Sequence, residues 1–196
     1  MTSLRAMARI ILQPLFLGLL AAIIVRVTIL QAYSIPSDSM RPTLERGDHI
    51  LVTPAAWGRE IQRGDVVVFR NPGVGTGFFV KRVIALEGEH LEIRDGRVRI
   101  EGRVLEEPYL EDGPTAETLA EIVPAGHFFV LGDLRSDSID SRVWGGLPQE
   151  NVVGRARMIF WSAGGVGASS ASAQSSESSP GRSGGPRWNR ILRPVR

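Results

Sequence analysis

Between residues 49 and 161 almost nothing recurs at helical spacing; glycine, proline and aspartate cut the chain into short runs of β-branched and aromatic residues. His49 to Thr53, Asp65 to Arg70, Phe78 to Leu86, Leu91 to Arg94, Arg97 to Ile100, Phe128 to Leu131 and Val152 to Trp161 all have strand length and strand composition. Asp95-Gly96 separates two alternating runs. A two-residue turn of the favoured hand needs positive φ at both positions, so this dipeptide predicts a hairpin. The expected fold is mainly β, an antiparallel sheet or barrel. Glu106 to Pro124, rich in acids and prolines, reads as a surface loop with at most a short helical turn.

Two segments of different composition flank these runs. Ile10 to Leu30 is apolar, with Gln13 and Arg26 its clearly polar side chains. Its 21 residues span roughly 30 Å as a helix, the thickness of a hydrocarbon core. Arg5 and Arg9 precede it, which favours a cytoplasmic N-terminus and puts the chain beyond residue 32 on the other side. No small-x-small site lies at a suitable distance after it, so an uncleaved anchor fits better than a secretory signal. After Ala163 the chain turns to Gly, Ser and Ala, which cannot bury enough apolar area to stay ordered. It ends in a basic and apolar tip, Arg187 to Arg196, suited to touching anionic headgroups. The division is thus 1–32, stub and anchor; 33–163, β-rich domain; 164–196, disordered tail with a basic tip.

Composition excludes several chemistries. There is no cysteine, hence no disulfide, thiolate nucleophile or cysteine-bound metal. The net charge of +2 is spread along the chain, and no nucleic-acid-binding block is present. Of 23 Lys and Arg residues only one is lysine: Lys81, in Phe79-Val80-Lys81-Arg82. Arginine is effectively always protonated, whereas a lysine in apolar surroundings can lose its proton and act as a base. Such a base needs a nucleophile.

Two polar segments supply candidates. Ile35-Pro36-Ser37-Asp38-Ser39-Met40-Arg41-Pro42-Thr43-Leu44 brackets two serines with prolines, and a serine hydroxyl becomes a nucleophile once a base takes its proton. Leu131 to Gly146 packs acids, arginines and hydroxyls just after a strand, either as a solvated loop or as a satisfied network holding something in place. Asp133, Asp137 and Asp140 lack the fixed spacing and closing glutamate of a calcium loop, so no metal is expected.

Together these segments resemble type I signal peptidase, the membrane-anchored Ser/Lys protease that removes signal peptides from exported proteins. The match covers the anchor and residues 33 to about 162. It runs through the nucleophile box at Ile35–Leu44, Gly64-Asp65-Val66-Val67-Val68-Phe69, the lysine box Phe79-Val80-Lys81-Arg82-Val83-Ile84, and Gly132-Asp133 through Ser138, Asp140-Ser141-Arg142 and Trp144-Gly145. The resemblance implies Ser39 as nucleophile and Lys81 as general base. It gives Ser37 to the oxyanion and Ser138 to orienting the lysine. Asp140 with Arg142, and Asp133 with Arg82, become supporting ion pairs. Ile35, Met40, Leu44, Phe79 and Val80 match positions lining shallow pockets for small side chains. It further implies no cofactor, signal peptides and membrane lipid as partners, and a monomer anchored once in the cell membrane.

Asp38 stands where this family often has a small residue, and is expected to face solvent; Leu134 and Ser136 also depart from its last box. Other readings remain: a self-cleaving repressor-type Ser/Lys peptidase, a specialised pilin or conjugation processing enzyme, a Ser/His/Asp hydrolase using His49, His90 or His127, or a noncatalytic anchored β-domain.

Overall fold

The computed structural model describes residues 13–18, 31–55, 58, 60–71, 77–110, 117–163 and 185–195. Twelve strands carry the fold: β1 (Gln31–Ser34), β2 (Asp48–Pro54), β3 (Val66–Arg70), β4 (Phe78–Ala85), β5 (His90–Arg94), β6 (Arg97–Ile100), β7 (Arg103–Val104), β8 (Leu119–Ile122), β9 (His127–Leu131), β10 (Leu147–Pro148), β11 (Val152–Ser162) and β12 (Arg193–Pro194). The larger sheet runs β1-β2-β11-β3-β4-β9-β10 with β12 on β11, and the smaller runs β7-β6-β5-β8. Every pairing with a defined register is antiparallel, as expected for strands joined by short turns.

The strands read from sequence recur within a residue or two at each end. Asp95 and Gly96 take φ of 50° and 75°, and Arg94 pairs with Arg97 across them. The stretch from Glu106 to Pro124 is more than a loop: β8 lies in it and pairs with β5, because His90–Ile93 would otherwise leave its second edge open.

Residues 1–31 and 32–196 are separate compact units. In the first, residues 13–18 are helical, and the rest of the expected anchor lies outside the described residues. Among the described residues no helix is long and apolar enough to cross a membrane.

The tail differs from expectation at its tip. The Gly/Ser-rich part, 164–184, lies outside the described residues, but 185–195 dock on the β-domain instead of trailing free. Pro186 bridges Ala163, and β12 pairs with β11 at Met158 and Ile159. Arg190 is 5% exposed. The cause is charge: Arg187 and Arg190 meet Glu45 and Asp48, partners more than a hundred residues away in sequence.

Three apolar clusters underlie the sheets. One holds Ile35, Met40 and Leu44 against Ile50, Val66, Val68 and Ile159, so the Ser-rich loop is rooted in the core by its own apolar side chains. The second joins Ile84, Phe129 and Leu131 to the smaller sheet, and the third packs Val67, Phe69, Val83 and Val130. Burying each such side chain contributes about 1.5–3 kcal/mol. β4 belongs to all three through Val80, Ile84 and Val83, which makes it a rigid platform for what it carries.

Candidate active site

β4 passes from surface to core along its length. Phe78 and Phe79 are 49% and 37% exposed, whereas Val83, Ile84 and Ala85 are fully buried. Lys81, 3% exposed, is the first fully interior residue at that crossing. Its Nζ lies 2.6 Å from Ser39 Oγ. Burial disfavours the ammonium and pulls the Lys81 pKa down to about 8, even though the carboxylates of Asp140 and Asp133 favour the charge. As ammonium the amine donates to Ser39. Once neutral, the same contact lets the Ser39 hydroxyl donate to the nitrogen, the arrangement a general base needs.

Ser39 is fixed through its backbone. Its carbonyl accepts from Leu134 N at 3.0 Å, and Leu44 N donates to Met40 O at 2.8 Å, closing the turn after it. Successive residues on a strand leave opposite faces, so Lys81 and Arg82 reach different ends of this loop: Lys81 meets Ser39, and Arg82 meets Thr43 Oγ1 at 3.1 Å. Thr43 Oγ1 in turn donates to Asp133 Oδ2 at 2.5 Å. Arg82 and Asp133 form a two-pronged pair, Nε–Oδ1 2.8 Å and Nη2–Oδ2 2.6 Å, with both side chains 1% exposed. A buried pair of this geometry is costly to break from one side, because the remaining charge stays buried.

The loop after β9 is organised by Asp140. Its Oδ2 accepts from Gly132 N at 3.0 Å, Ser138 Oγ at 2.7 Å and Arg142 Nη2 at 2.9 Å, while Oδ1 accepts from Arg142 Nε at 2.8 Å. Burial alone would raise the Asp140 pKa; the bonds from Arg142, Gly132 and Ser138 outweigh it and hold the group below the usual carboxylate range. Gly132 sits where a side chain has no room: a Cβ there would lie 2.2 Å from Ser138 Oγ and 2.6 Å from Ser39 O. Among the described residues Ser138 donates to Asp140 and makes no bond to Lys81, in contrast to the direct contact its assigned role implies. The hydroxyl's one proton goes to Asp140, and its lone pairs stay available to accept.

A cleft of about 430 Å³ opens over the pair, lined by Ile35, Ser37, Ser39, Met40, Phe79, Val80 and Lys81 together with Tyr33, Phe78 and Ile139. Leu44, expected in that lining, is not part of it. It is fully buried in the core beneath Ile35 and Met40, where the turn after Ser39 directs it inward. Ser37 Oγ lies 3.4 Å from Ser39 Oγ at the cleft mouth. Asp38 turns to Arg46, accepting from its backbone N at 3.3 Å and pairing with Nε at 3.8 Å. No histidine bonds Ser39 among the described residues: His127 Nδ1 contacts Ala125 O, and His49 packs on Phe160.

The signal peptidase, peptidase S26, family profile matches residues 7–161. The chain belongs to this family. It is 40% identical over 154 residues to "Signal peptidase I" of Leptolyngbya laminosa, covering 74% of this chain and 75% of that one. With "Probable signal peptidase I-1" of Synechocystis it shares 41% over 157 residues, 76% and 80% of the two chains. The crystal structure of a signal peptidase I from Enterococcus faecalis aligns with a TM-score of 0.46 at 32% identity, over 50% of this chain and 97% of that one. The family match and these relatives make the chain a peptidase, and Ser39 and Lys81 meet in its cleft.

Some support of the site was not visible in sequence. Glu107 pairs with the buried Arg135, whose Nε donates to Gly132 O at 3.0 Å. Tyr109 lies under the Arg82 guanidinium, 3.9 Å from ring centroid to Cζ. Both come from the stretch read as a surface loop. Its acids gave the one available signal, since acids beside an arginine-rich loop are candidates to pair with it.

Proposed function

We propose that this protein is a membrane-bound type I signal peptidase that removes N-terminal signal peptides from exported proteins after small-x-small sites, using Ser39 and Lys81. The observation that carries the reading is the 2.6 Å contact between Lys81 Nζ and Ser39 Oγ inside the cleft. Neutral Lys81 takes the Ser39 proton as Oγ bonds to the scissile carbonyl carbon. The oxyanion that forms is met by Ser39 N–H and the Ser37 hydroxyl. Collapse breaks the carbon–nitrogen bond, and the Lys81 ammonium returns its proton to the leaving amine. Water, deprotonated by Lys81, then releases the acyl group. Asp140 with Arg142, and Asp133 with Arg82, act as scaffolding for Ser138, Gly132 and the nucleophile loop.

Specificity arises in the cleft. β9 pairs with β4 only from Arg82 onward, so one edge of Phe78–Lys81 is without a strand partner among the described residues and suits an extended substrate. Ile35, Met40, Phe79 and Val80 leave shallow space there for small side chains. The apolar run Ile10–Leu30 serves as a single-pass anchor in the cell membrane, N-terminus cytoplasmic, that keeps a monomeric catalytic domain on the extracytoplasmic side, where tethering raises encounters with signal peptides. In the test, purified full-length protein in detergent is given a preprotein and the products are read by mass spectrometry. Wild type is expected to cut once, after a small residue, and Ser39→Ala not at all. No cut by wild type, or equal cutting by both, contradicts the reading.

A further inference from the structure

The family match ends at residue 161, yet the chain returns to the β-domain at 185–195 and buries an arginine there. The Arg190 side chain ends among groups of the turn just beyond the nucleophile. Nη2 bonds Asp48 Oδ2 at 2.6 Å and Thr43 O at 3.1 Å; Nη1 bonds Glu45 Oε1 at 2.9 Å and Pro42 O at 3.4 Å. Arg187 adds Asp48 Oδ1 at 3.0 Å, Arg46 O at 2.9 Å and Ser162 Oγ at 2.8 Å, and pairs with Glu45. Asp48 itself caps the turn by accepting from Glu45 N at 2.9 Å. Thr43 is thus gripped twice. Arg82 and Asp133 hold its hydroxyl from the core, and Arg190 holds its carbonyl from the C-terminal segment.

We propose that Arg190, assisted by Arg187, is a positioning residue for Ser39: the segment Pro186–Val195 clamps residues 42–48 and so fixes the turn that presents the nucleophile to Lys81. This rests on the Ser39/Lys81 mechanism proposed for the cleft. The planar fork of arginine suits two backbone carbonyls and two carboxylates at once, which a lysine ammonium cannot match. Without it, Pro42 O and Thr43 O lose their donors, and the turn gains freedom at the distance scale where reactivity is lost.

In the full-length enzyme, Arg190→Ala is expected to lower kcat for preprotein cleavage about tenfold with KM within about twofold. The pH profile should keep its wild-type midpoint, and hydrogen exchange should quicken in residues 39–48 ahead of the rest of the domain. Arg190→Lys should recover part of the loss. Arg97→Ala, at an exposed position of the smaller sheet outside the clamp and the cleft, should match wild type. Because Arg190→Ala leaves Asp48 less compensated, Asp48→Asn/Arg190→Gln is the control for folding: a folded double variant with the same kcat loss supports the clamp. Wild-type kcat in Arg190→Ala or in the folded double variant overturns it, as does faster exchange spread evenly over the domain. A wild type that cuts no preprotein, by contrast, sinks the Ser39/Lys81 reading itself.

Discussion

Lys81→Arg should lower kcat for preprotein cleavage by at least about a thousandfold, the scale of losing a positioned general base. Guanidinium keeps the positive charge and the reach but cannot give up its proton at any working pH. Near-normal cleavage by Lys81→Arg would end the neutral-amine mechanism. Lys81→Met separates chemistry from folding, since it should be equally inactive yet more stable. The lysine is 3% exposed, with its pKa lowered from 10.5 to about 8. The folded state therefore disfavours the proton that the unfolded chain binds. Below pH 8 wild type carries that cost, about 3 kcal/mol at pH 7. Between pH 8 and 10.5 the unfolded state binds more protons than the folded one, so wild-type stability climbs as pH rises and the advantage of Lys81→Met fades. Denaturant unfolding of both proteins at about pH 7 and about pH 10.5 reads this directly. An advantage independent of pH would mean that packing, not protonation, sets it.

Gly132→Ala should cost about a hundredfold in kcat and about 1–3 kcal/mol in stability. The added Cβ would lie 2.2 Å from Ser138 Oγ, 2.6 Å from Ser138 Cβ and 2.6 Å from Ser39 O. None of these can yield cheaply. Ser138 is bonded to Asp140, and the Ser39 carbonyl is held by Leu134 N. Relief must come from moving the nucleophile backbone away from the Asp140 loop, which lengthens the 2.6 Å contact to Lys81. Steady-state kinetics and thermal melting of the purified variant test it, with a wild-type kcat as the result that rules the clash unimportant.

The strands around Lys81 were legible because β-branched and aromatic residues come there in unbroken runs bounded by glycine and proline: Val66–Phe69 is buried throughout, and Phe78–Ala85 passes from exposed to buried. Arg103–Val104, Leu147–Pro148 and Arg193–Pro194 were not, since two residues carry no period, and Leu119–Ile122 lay in a segment whose acids and prolines suggest a loop. In the site, motif order pointed to Ser39 and Lys81, and the 2.6 Å contact is consistent with that pairing. Leu44 shows the limit of position matching: the residue sits in the right box, but the closure of Met40 O on Leu44 N turns it into the core. Arg190 shows the limit of local reading, because its partners Pro42, Thr43, Glu45 and Asp48 precede it by well over a hundred residues. Its charge, in a tip that reads as lipid-facing, is spent inside the protein.

The measurement closest to the central claim uses the chain's one lysine. With lysine labelled at 13Cε and a lysine-free tag, the folded enzyme gives a single side-chain signal, that of Lys81, whose shift can be tracked against pH in wild type and in Ser39→Ala. The expected midpoint is about 8, with a neutral amine available to take the Ser39 proton in the physiological range. A midpoint at the ordinary lysine value of about 10.4 would contradict the mechanism, because the nitrogen beside Ser39 would then remain an ammonium with no lone pair to offer.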